Sequence, residues 1–288
     1  MLPIIEVNNL CYIYGKKTPF ETCAIDNISF ILNKGETLGI IGSTGSGKST
    51  LVQHLNGLIE PASGEIKYLG ENIWNNGKCR KGLRFEVGLV FQYPEYQMFE
   101  DTVKKDIAFG PSNMELTDEE IEQRVQLAAK AVGLKEELLE KSPFDLSGGE
   151  KRRAAIAGIM AMQPKVLVLD EPTAGLDPIG RKTIEKAIND YKMQLDASVI
   201  IVSHSMEEVC RLSDKVLVIS KGKKVMFDTV NNVFKQSDVL KNIGLDVPEV
   251  TQICSILNKN GVDIPIDIFR VDDAVNAIER VLKGGEQL

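Results

Sequence analysis

Apolar residues along the chain fall into short unbroken runs, longer runs with helical spacing, and a late set of amphipathic segments. The short runs are Thr37–Ile41, Val87–Phe91, Val166–Asp170 and Val199–Val202. Four or five apolar positions without polar alternation predict strands covered on both faces, as in a mostly parallel sheet between helices. Helical spacing is clearest at Ile121, Val125, Ala128, Ala129 and Val132, opened by the capping box Thr117-Asp118-Glu119-Glu120 and closed by Gly133. Leu51–Gly57 and Lys151–Met162 read as helices that follow glycine-rich turns, and Val216–Ile219 with Lys223–Phe227 reads as a hairpin.

This order predicts a two-lobed α/β unit over residues 1–229, with a helical insertion at about 92–145. A C-terminal extension, 230–288, follows. Its apolar positions lie at Val239-Leu240, Ile253–Leu257 and Val271–Leu282, separated by Pro248 and by Gly261–Pro265. The extension is too apolar for a disordered tail. It reads as a dimerisation module, because amphipathic helices need a surface on which to bury their stripes; the alternative is a packing extension.

Composition narrows the class. A chain of 288 residues with 43% hydrophobic content can bury a full core. The net charge of −7 disfavours a nucleic-acid surface, and the basic cluster Lys78 to Arg84 reads as a solvated loop. Five cysteines, none in C-x-x-C spacing, indicate free thiols in a reducing compartment. No stretch approaches the roughly 18 apolar residues of a membrane helix, and no signal peptide is visible, so any membrane role comes through partners.

The chemistry lies between these elements. Gly42 to Ser49 read Gly-Ser-Thr-Gly-Ser-Gly-Lys-Ser, a G-x-x-x-x-G-K-S phosphate loop between a strand and a helix. Small residues let backbone N–H groups converge on a polyphosphate, Lys48 reaches the β- and γ-phosphates, and Ser49 offers a hydroxyl to Mg²⁺. The strand Val166–Asp170 delivers Asp170 to the carboxyl edge of the sheet as a second Mg²⁺ group. Glu171, next in the chain, is the general-base candidate for polarising an attacking water. Together these features read as ATP binding and hydrolysis.

A second phosphate-binding surface is written at Leu146-Ser147-Gly148-Gly149-Glu150, where Ser147 can cap the helix and two glycines leave its first amides uncovered. With this pentapeptide the chain resembles the ATP-binding cassette (ABC) ATPases, whose signature it matches. Glu150 stands where that family more often has Gln; Ser147 and Glu150 also fit a capping box. The resemblance implies a P-loop NTPase core of the ABC ATPase type, with an antiparallel β subdomain, a helical subdomain and a C-terminal helical extension. It implies nucleotide contacts along Gly42, Ser43, Thr44, Gly45, Ser46, Gly47, Lys48, Ser49 and Thr50. It further implies head-to-tail pairing of two cassettes, each ATP lying between one phosphate loop and the other subunit's Ser147, Gly148, Gly149 and Glu150.

Position by position, Tyr14, ahead of the first strand pair, resembles the aromatic that stacks on adenine, with Tyr12 as the competing choice. Gln92 resembles the glutamine that touches Mg²⁺ and links the core to the helical arm. Asp177 resembles the loop crossing to the other subunit, and His204 the switch histidine on the γ-phosphate. His54, in the helix after the phosphate loop, reads as packing or surface.

Within the cassette ATPases, the segments Val90 to Phe99, Ala108 to Pro111, His54 to Leu58 and Ala157 to Met162 look like energy-coupling factor ATPases. The resemblance covers essentially the whole length. It implies the second of two ATPases, since Asp-Glu-Pro-Thr-Ala-Gly-Leu-Asp is intact, acting at the cytoplasmic face of the cell membrane. The implied partners are a transmembrane coupling subunit, a paralogous or identical ATPase, and substrate-binding membrane subunits that choose a vitamin or transition-metal ion. Glu95 is expected to meet an arginine of the coupling subunit. The alternatives are the ATPase of another importer or exporter, a soluble cassette protein acting on ribosomes or DNA, and a non-hydrolysing regulatory subunit.

Overall fold

A computed structural model describes residues 3–75 and 77–284. Two long strands, β1 (Ile5–Tyr14) and β2 (Thr22–Leu32), precede β3 (Thr37–Ile41), the phosphate loop and α1 (Lys48–Leu55). Then come β4 (Ser63–Tyr68), β5 (Glu71–Asn72), the two-residue strands β6 (Trp74–Asn75) and β7 (Lys78–Cys79), α2 (Leu83–Glu86) and β8 (Val87–Val90). The helical lobe follows as α3 (Val103–Ser112), α4 (Asp118–Ala131) and α5 (Gly148–Ala161). The core resumes with β9 (Val166–Asp170), α6 (Pro178–Leu195), β10 (Ser198–Val202), α7 (Met206–Leu212), β11 (Lys215–Ser220) and β12 (Lys223–Thr229). The extension holds α8 (Val230–Phe234), α9 (Ser237–Asn242), α10 (Glu249–Lys259) and α11 (Val271–Gly284). Sequence reading carries the extension to residue 288; 285–288 lie outside the described residues.

The central sheet runs β12-β11-β3-β10-β9-β8, parallel from β11 to β8 with β12 antiparallel at one edge. Each parallel strand is covered twice, which is why its apolar run lacks alternation. Leu167, Leu169, Val199 and Ile201 pack into the core beneath the helical lobe and α6. Their neighbours Val166, Val168, Ile200 and Val202 point to the opposite face, onto the antiparallel sheet β2-β1-β4-β5. All eight are 0% exposed, and each buried side chain of this kind stabilises the fold by about 1.5–3 kcal/mol.

Because the strands are parallel, their carboxyl ends share one edge. Val202 pairs with Asp170 on one side and Ile40 on the other, so β10 seats His204 between the phosphate loop and the acidic strand end. The helical lobe forms as its caps require: Thr117 Oγ1 accepts from the Glu120 N–H at 3.3 Å while Glu120 Oε2 accepts from the Thr117 N–H at 2.8 Å.

The extension is fastened to the core rather than trailing from it. Phe234, Leu240, Leu245, Val247 and Phe269 share a cluster with Val216 and Val218 of β11 and Val209 and Cys210 of α7. Arg270 Nε donates to the Cys210 carbonyl at 3.2 Å, and Lys235 pairs with Asp267 at 3.0 Å. α10 and α11 build a smaller core of their own around Val250, Cys254, Ile264, Ile268 and Ala274.

Several expectations shift in detail. Tyr14 is the last residue of β1 instead of preceding the strand pair, because β1 continues to pair with β2 through Tyr14↔Thr22. α1 begins at Lys48 and α5 at Gly148, each earlier than its apolar pattern, since glycine and polar residues fill the first turn at phosphate-facing ends. The basic cluster is only partly solvated: Arg80 lies over the Tyr68 ring and Leu83 is buried. All five cysteines are unpaired, with Cys23 exposed and Cys210 and Cys254 buried.

Candidate nucleotide site

The phosphate loop makes a tight left-handed path from β3 into α1. Gly47 has φ 107°, and a Cβ there would run into the Ala24 carbonyl, so only glycine fits. Around Gly45 there is open space instead, which leaves the loop's concave side accessible. Lys48 is buried and its Nζ donates to the carbonyls of Gly42 (2.7 Å) and Ser43 (3.0 Å), which folds the loop around its cation. Burial lowers the Lys48 pKa, while the Glu171 and Asp170 carboxylates oppose that shift.

Asp170 and Glu171 stand opposite. Burial raises the Asp170 pKa against the pull of the Ser49 hydroxyl, Lys48 and His204. Glu171 adopts φ 55°, an uncommon left-handed conformation for a non-glycine residue, and its N–H donates to the Val202 carbonyl at 2.9 Å. Burial pushes its carboxyl up to about 7, with the His204 backbone N–H opposing and the carboxylates of Asp170 and Glu208 adding to the rise. Its buried Oε1 has no hydrogen-bond partner among the described residues, although His204 Nε2 stands 3.3 Å away. An unpaired acceptor near neutral pKa suits a group that takes a proton from water. His204 itself is half exposed; burial and then Lys48 hold its pKa below the usual histidine value, so it is neutral at pH 7.

The donor set fits Mg²⁺ coordinated partly by phosphate: one hydroxyl, Ser49, and one carboxylate, Asp170, lie together. No cluster of three or more His, Cys, Asp and Glu side chains forms a cation cage among the described residues. Gln92, beyond β8, is exposed and its side chain makes no hydrogen bond among the described residues. It is near the site in topology but not joined to it.

The two tyrosines differ in exposure and contacts. Tyr14 is 41% exposed, and its hydroxyl lies 3.3 Å from Thr50 Oγ1 at the start of α1. Tyr12 is sandwiched, edge-on to Tyr14 and to His54, with both ring centroids 4.8 Å away. His54 is fully buried, its Nδ1 2.7 Å from the Thr50 carbonyl, and burial lowers its pKa. Tyr14 therefore presents the free face, and Tyr12 and His54 brace it.

At the signature, Ser147 N-caps α5 and Glu150 folds back: Ser147 Oγ donates to Glu150 Oε2 at 2.7 Å and the Ser147 N–H at 2.9 Å. These bonds hold the Glu150 carboxyl below the usual range. Gly148 faces open space, so the helix end stays accessible. Asp177 serves as N-cap of α6, accepting from the Gly180 N–H at 2.6 Å.

Two groups, Glu208 and Arg152, escaped sequence reading, and Glu95, expected to meet a partner's arginine, meets one of its own chain. Glu208, buried in α7, accepts from Thr173 Oγ1 at 2.8 Å, and burial raises its pKa. Arg152, in α5, is 3% exposed and donates to the carbonyls of Glu171 and Pro172. Glu95 faces this arginine of its own chain, Arg152 Nη1 lying 3.7 Å from Glu95 Oε1.

Comparison with known proteins agrees with this geometry. Residues 25–174 match the family model described as "ABC transporter". The chain is 49% identical over 97% of its length, and 98% of the relative's, to the "Energy-coupling factor transporter ATP-binding protein EcfA2" of Caldanaerobacter subterraneus subsp. tengcongensis. To the protein of that name from Clostridium acetobutylicum it is 48% identical, over 98% of this chain and 99% of that one. Among solved structures, cbiO1 from Clostridium perfringens, described as part of the ABC transporter complex cbiONQ, superposes with TM-score 0.73 at 37% identity. That match covers 88% of this chain and 99% of the other. Matched by that family model over more than half of its length and by these relatives almost end to end, the chain belongs to the ABC transporter family of ATPases, among its energy-coupling factor ATP-binding proteins.

Proposed function

We propose that this ATPase is one of a pair of cassettes that power an energy-coupling factor transporter, importing a vitamin or transition-metal ion selected by a separate membrane subunit. The observation that carries the reading is a hydrolytic set, Lys48, Asp170, Glu171 and His204, gathered at one sheet edge, beside a signature helix whose N-terminus is left open. An open signature calls for a second cassette, itself or a paralogue, to supply the opposite half of each site.

In this mechanism the phosphate loop binds the polyphosphate through its amides and Lys48, and Tyr14 stacks on the adenine. Thr50, Ser43, Thr44 and Ser46 complete the loop contacts. Mg²⁺, when bound by Ser49 and Asp170, with Gln92 as a third approach, would supply charge neutralisation at the phosphates. Glu171 as a carboxylate accepts the proton of the attacking water, and neutral His204 donates a hydrogen bond toward developing charge. Asp177 and the signature residues Ser147, Gly148, Gly149 and Glu150 act across the pair.

Work reaches the membrane through a groove of about 580 Å³ between the segment after β8 and the helical lobe, lined by Phe85, Leu89, Met98, Phe99, Phe109 and Ile159 among others. Tyr93, Tyr96 and Phe99 are exposed at its side, a surface suited to a coupling helix of a transmembrane subunit. No described helix is long and apolar enough to cross a membrane, so association with the cytoplasmic face runs through that partner.

Gentle extraction of a tagged chain from native membranes tests the proposal. Recovery of a transmembrane subunit, a cassette partner and small membrane binders is expected. Recovery of ribosomes or nucleic acid in their place would overturn it.

A further inference from the structure

The left-handed backbone of Glu171 needs something to hold it. A non-glycine residue at φ 55° costs of order 1–3 kcal/mol and persists only where its surroundings over-determine it. Its N–H is tied to Val202 of β10, and its carbonyl accepts from Arg152 Nη2. Arg152 Nε donates to the next carbonyl, Pro172, at 3.1 Å. One guanidinium thus clamps both peptide carbonyls that follow the acidic strand.

That guanidinium is unusual for an arginine one turn into a helix. It is 3% exposed, and two neutral carbonyls cannot compensate its charge. The carboxylate paired with it is Glu95, at 3.7 Å, whose side chain is 17% exposed and whose Oε2 is buried without a hydrogen-bond partner. Glu95 sits in the turn Pro94–Gln97, and Pro94, Gln97 and Met98 line the groove. A planar, forked cation reaches three acceptors at fixed angles, which the point charge of a lysine cannot do.

We propose that Arg152 is a positioning residue for the general base: from the signature helix it holds the Glu171 backbone in its left-handed pose, and through Glu95 it makes that pose responsive to what occupies the groove. Movement of the groove turn shifts Glu95, the guanidinium follows its counter-charge, and the carbonyl of Glu171 loses its donor. The base turns away before nucleotide contacts in the phosphate loop are disturbed. The inference rests on Glu171 being the base.

The test uses the full-length chain in its assembled complex, with Arg152→Lys, Arg152→Gln, Glu95→Gln and the double variant Arg152→Lys/Glu95→Gln, and Glu171→Gln run beside them. Misplacing a base by about 1 Å costs on the order of ten- to hundredfold in kcat, so Arg152→Lys and Arg152→Gln should fall by that much. ATP affinity should stay near that of the unaltered protein in both, Arg152→Lys should keep most of the melting temperature by keeping a charge beside Glu95 while Arg152→Gln lowers it, and the acid limb of the pH–rate profile should move. The double variant should lose no more than Arg152→Lys alone, because both changes break one linkage.

Unaltered kcat in both Arg152 variants overturns the proposal. So does a loss of kcat in Arg152→Lys matched by an equal loss of ATP affinity, which is the mark of a plain structural brace. Additive losses in the double variant sink the Glu95 linkage. Full turnover in Glu171→Gln would remove the base assignment itself, whereas its loss beside normal Arg152 variants removes this inference alone.

Discussion

Glu171, as the proposed base, should leave a kinetic and a thermodynamic signature, and the two can be read separately. With its carboxyl at about 7, turnover should rise as pH increases from 6 to 8, because only the ionised form accepts the proton. Unfolded, a glutamate titrates near its ordinary value, so between that value and 7 the folded chain holds a proton the unfolded chain has shed. Ionising the buried group therefore costs stability as pH rises through 7. Glu171→Gln should raise the unfolding free energy at pH 8 by about 2–3 kcal/mol and change little at pH 4, as urea titrations at the two pH values would reveal. Tyr14→Ala should weaken ATP binding by roughly tenfold, one stacking contact being worth about 1–3 kcal/mol, while leaving kcat at saturation unchanged; equilibrium nucleotide titration reads this. The chain offered Tyr12 and Tyr14 as alternatives for the adenine platform and did not show which of them is exposed. Register shifts in β1 on both sides of Tyr12 decide which tyrosine turns outward, and a bulge leaves no mark in simple alternation. Arg152 was invisible for a related reason: a basic residue in a helix reads as solvated, and the carbonyls and carboxylate that bury it come from distant segments.

Elements were far easier to read than side-chain networks. Unbroken apolar runs named β3, β8, β9 and β10, and their parallel pairing puts Gly42, Asp170 and His204 at one edge without further information. Helix starts were less legible, since the first turns of α1 and α5 are built from glycine, serine and charge instead of apolar spacing. The signature helix shows what such a start can encode. Its capping box holds Glu150 against Ser147, which supports the helix while placing negative charge at the anion-binding end. Glu150→Gln keeps the cap geometry and removes the charge. ATP-driven pairing should tighten by about threefold to fivefold, equivalent to roughly 0.5–1 kcal/mol, and the melting temperature should fall slightly; analytical ultracentrifugation with ATP and a thermal melt would check both.

At the scale of the molecule, the extension joins two tasks. Phe234, Leu240 and Phe269 seal the far end of the central sheet, the packing role that sequence reading had set second. α11 keeps an unburied stripe at Val271, Val275 and Leu282, with Ile253 and Ile256 exposed on α10, and this surface supports the dimerisation reading. Leu282→Asp should weaken association of the cassettes in the absence of ATP, measured by light scattering, without altering the melting temperature of the cassette. The free thiols bear on how such changes could be watched. Cys23 is exposed and lies across the strand pair from Ile13, one residue before Tyr14. Cys210 and Cys254 are buried, and burial raises both thiols, that of Cys210 to about 12, which keeps them unreactive at neutral pH. A maleimide dye should thus label Cys23 first, on the strand paired with the end of β1 and on the sheet face away from Tyr14, so the native chain already carries an optical reporter for any movement of that strand pair as nucleotide arrives and leaves.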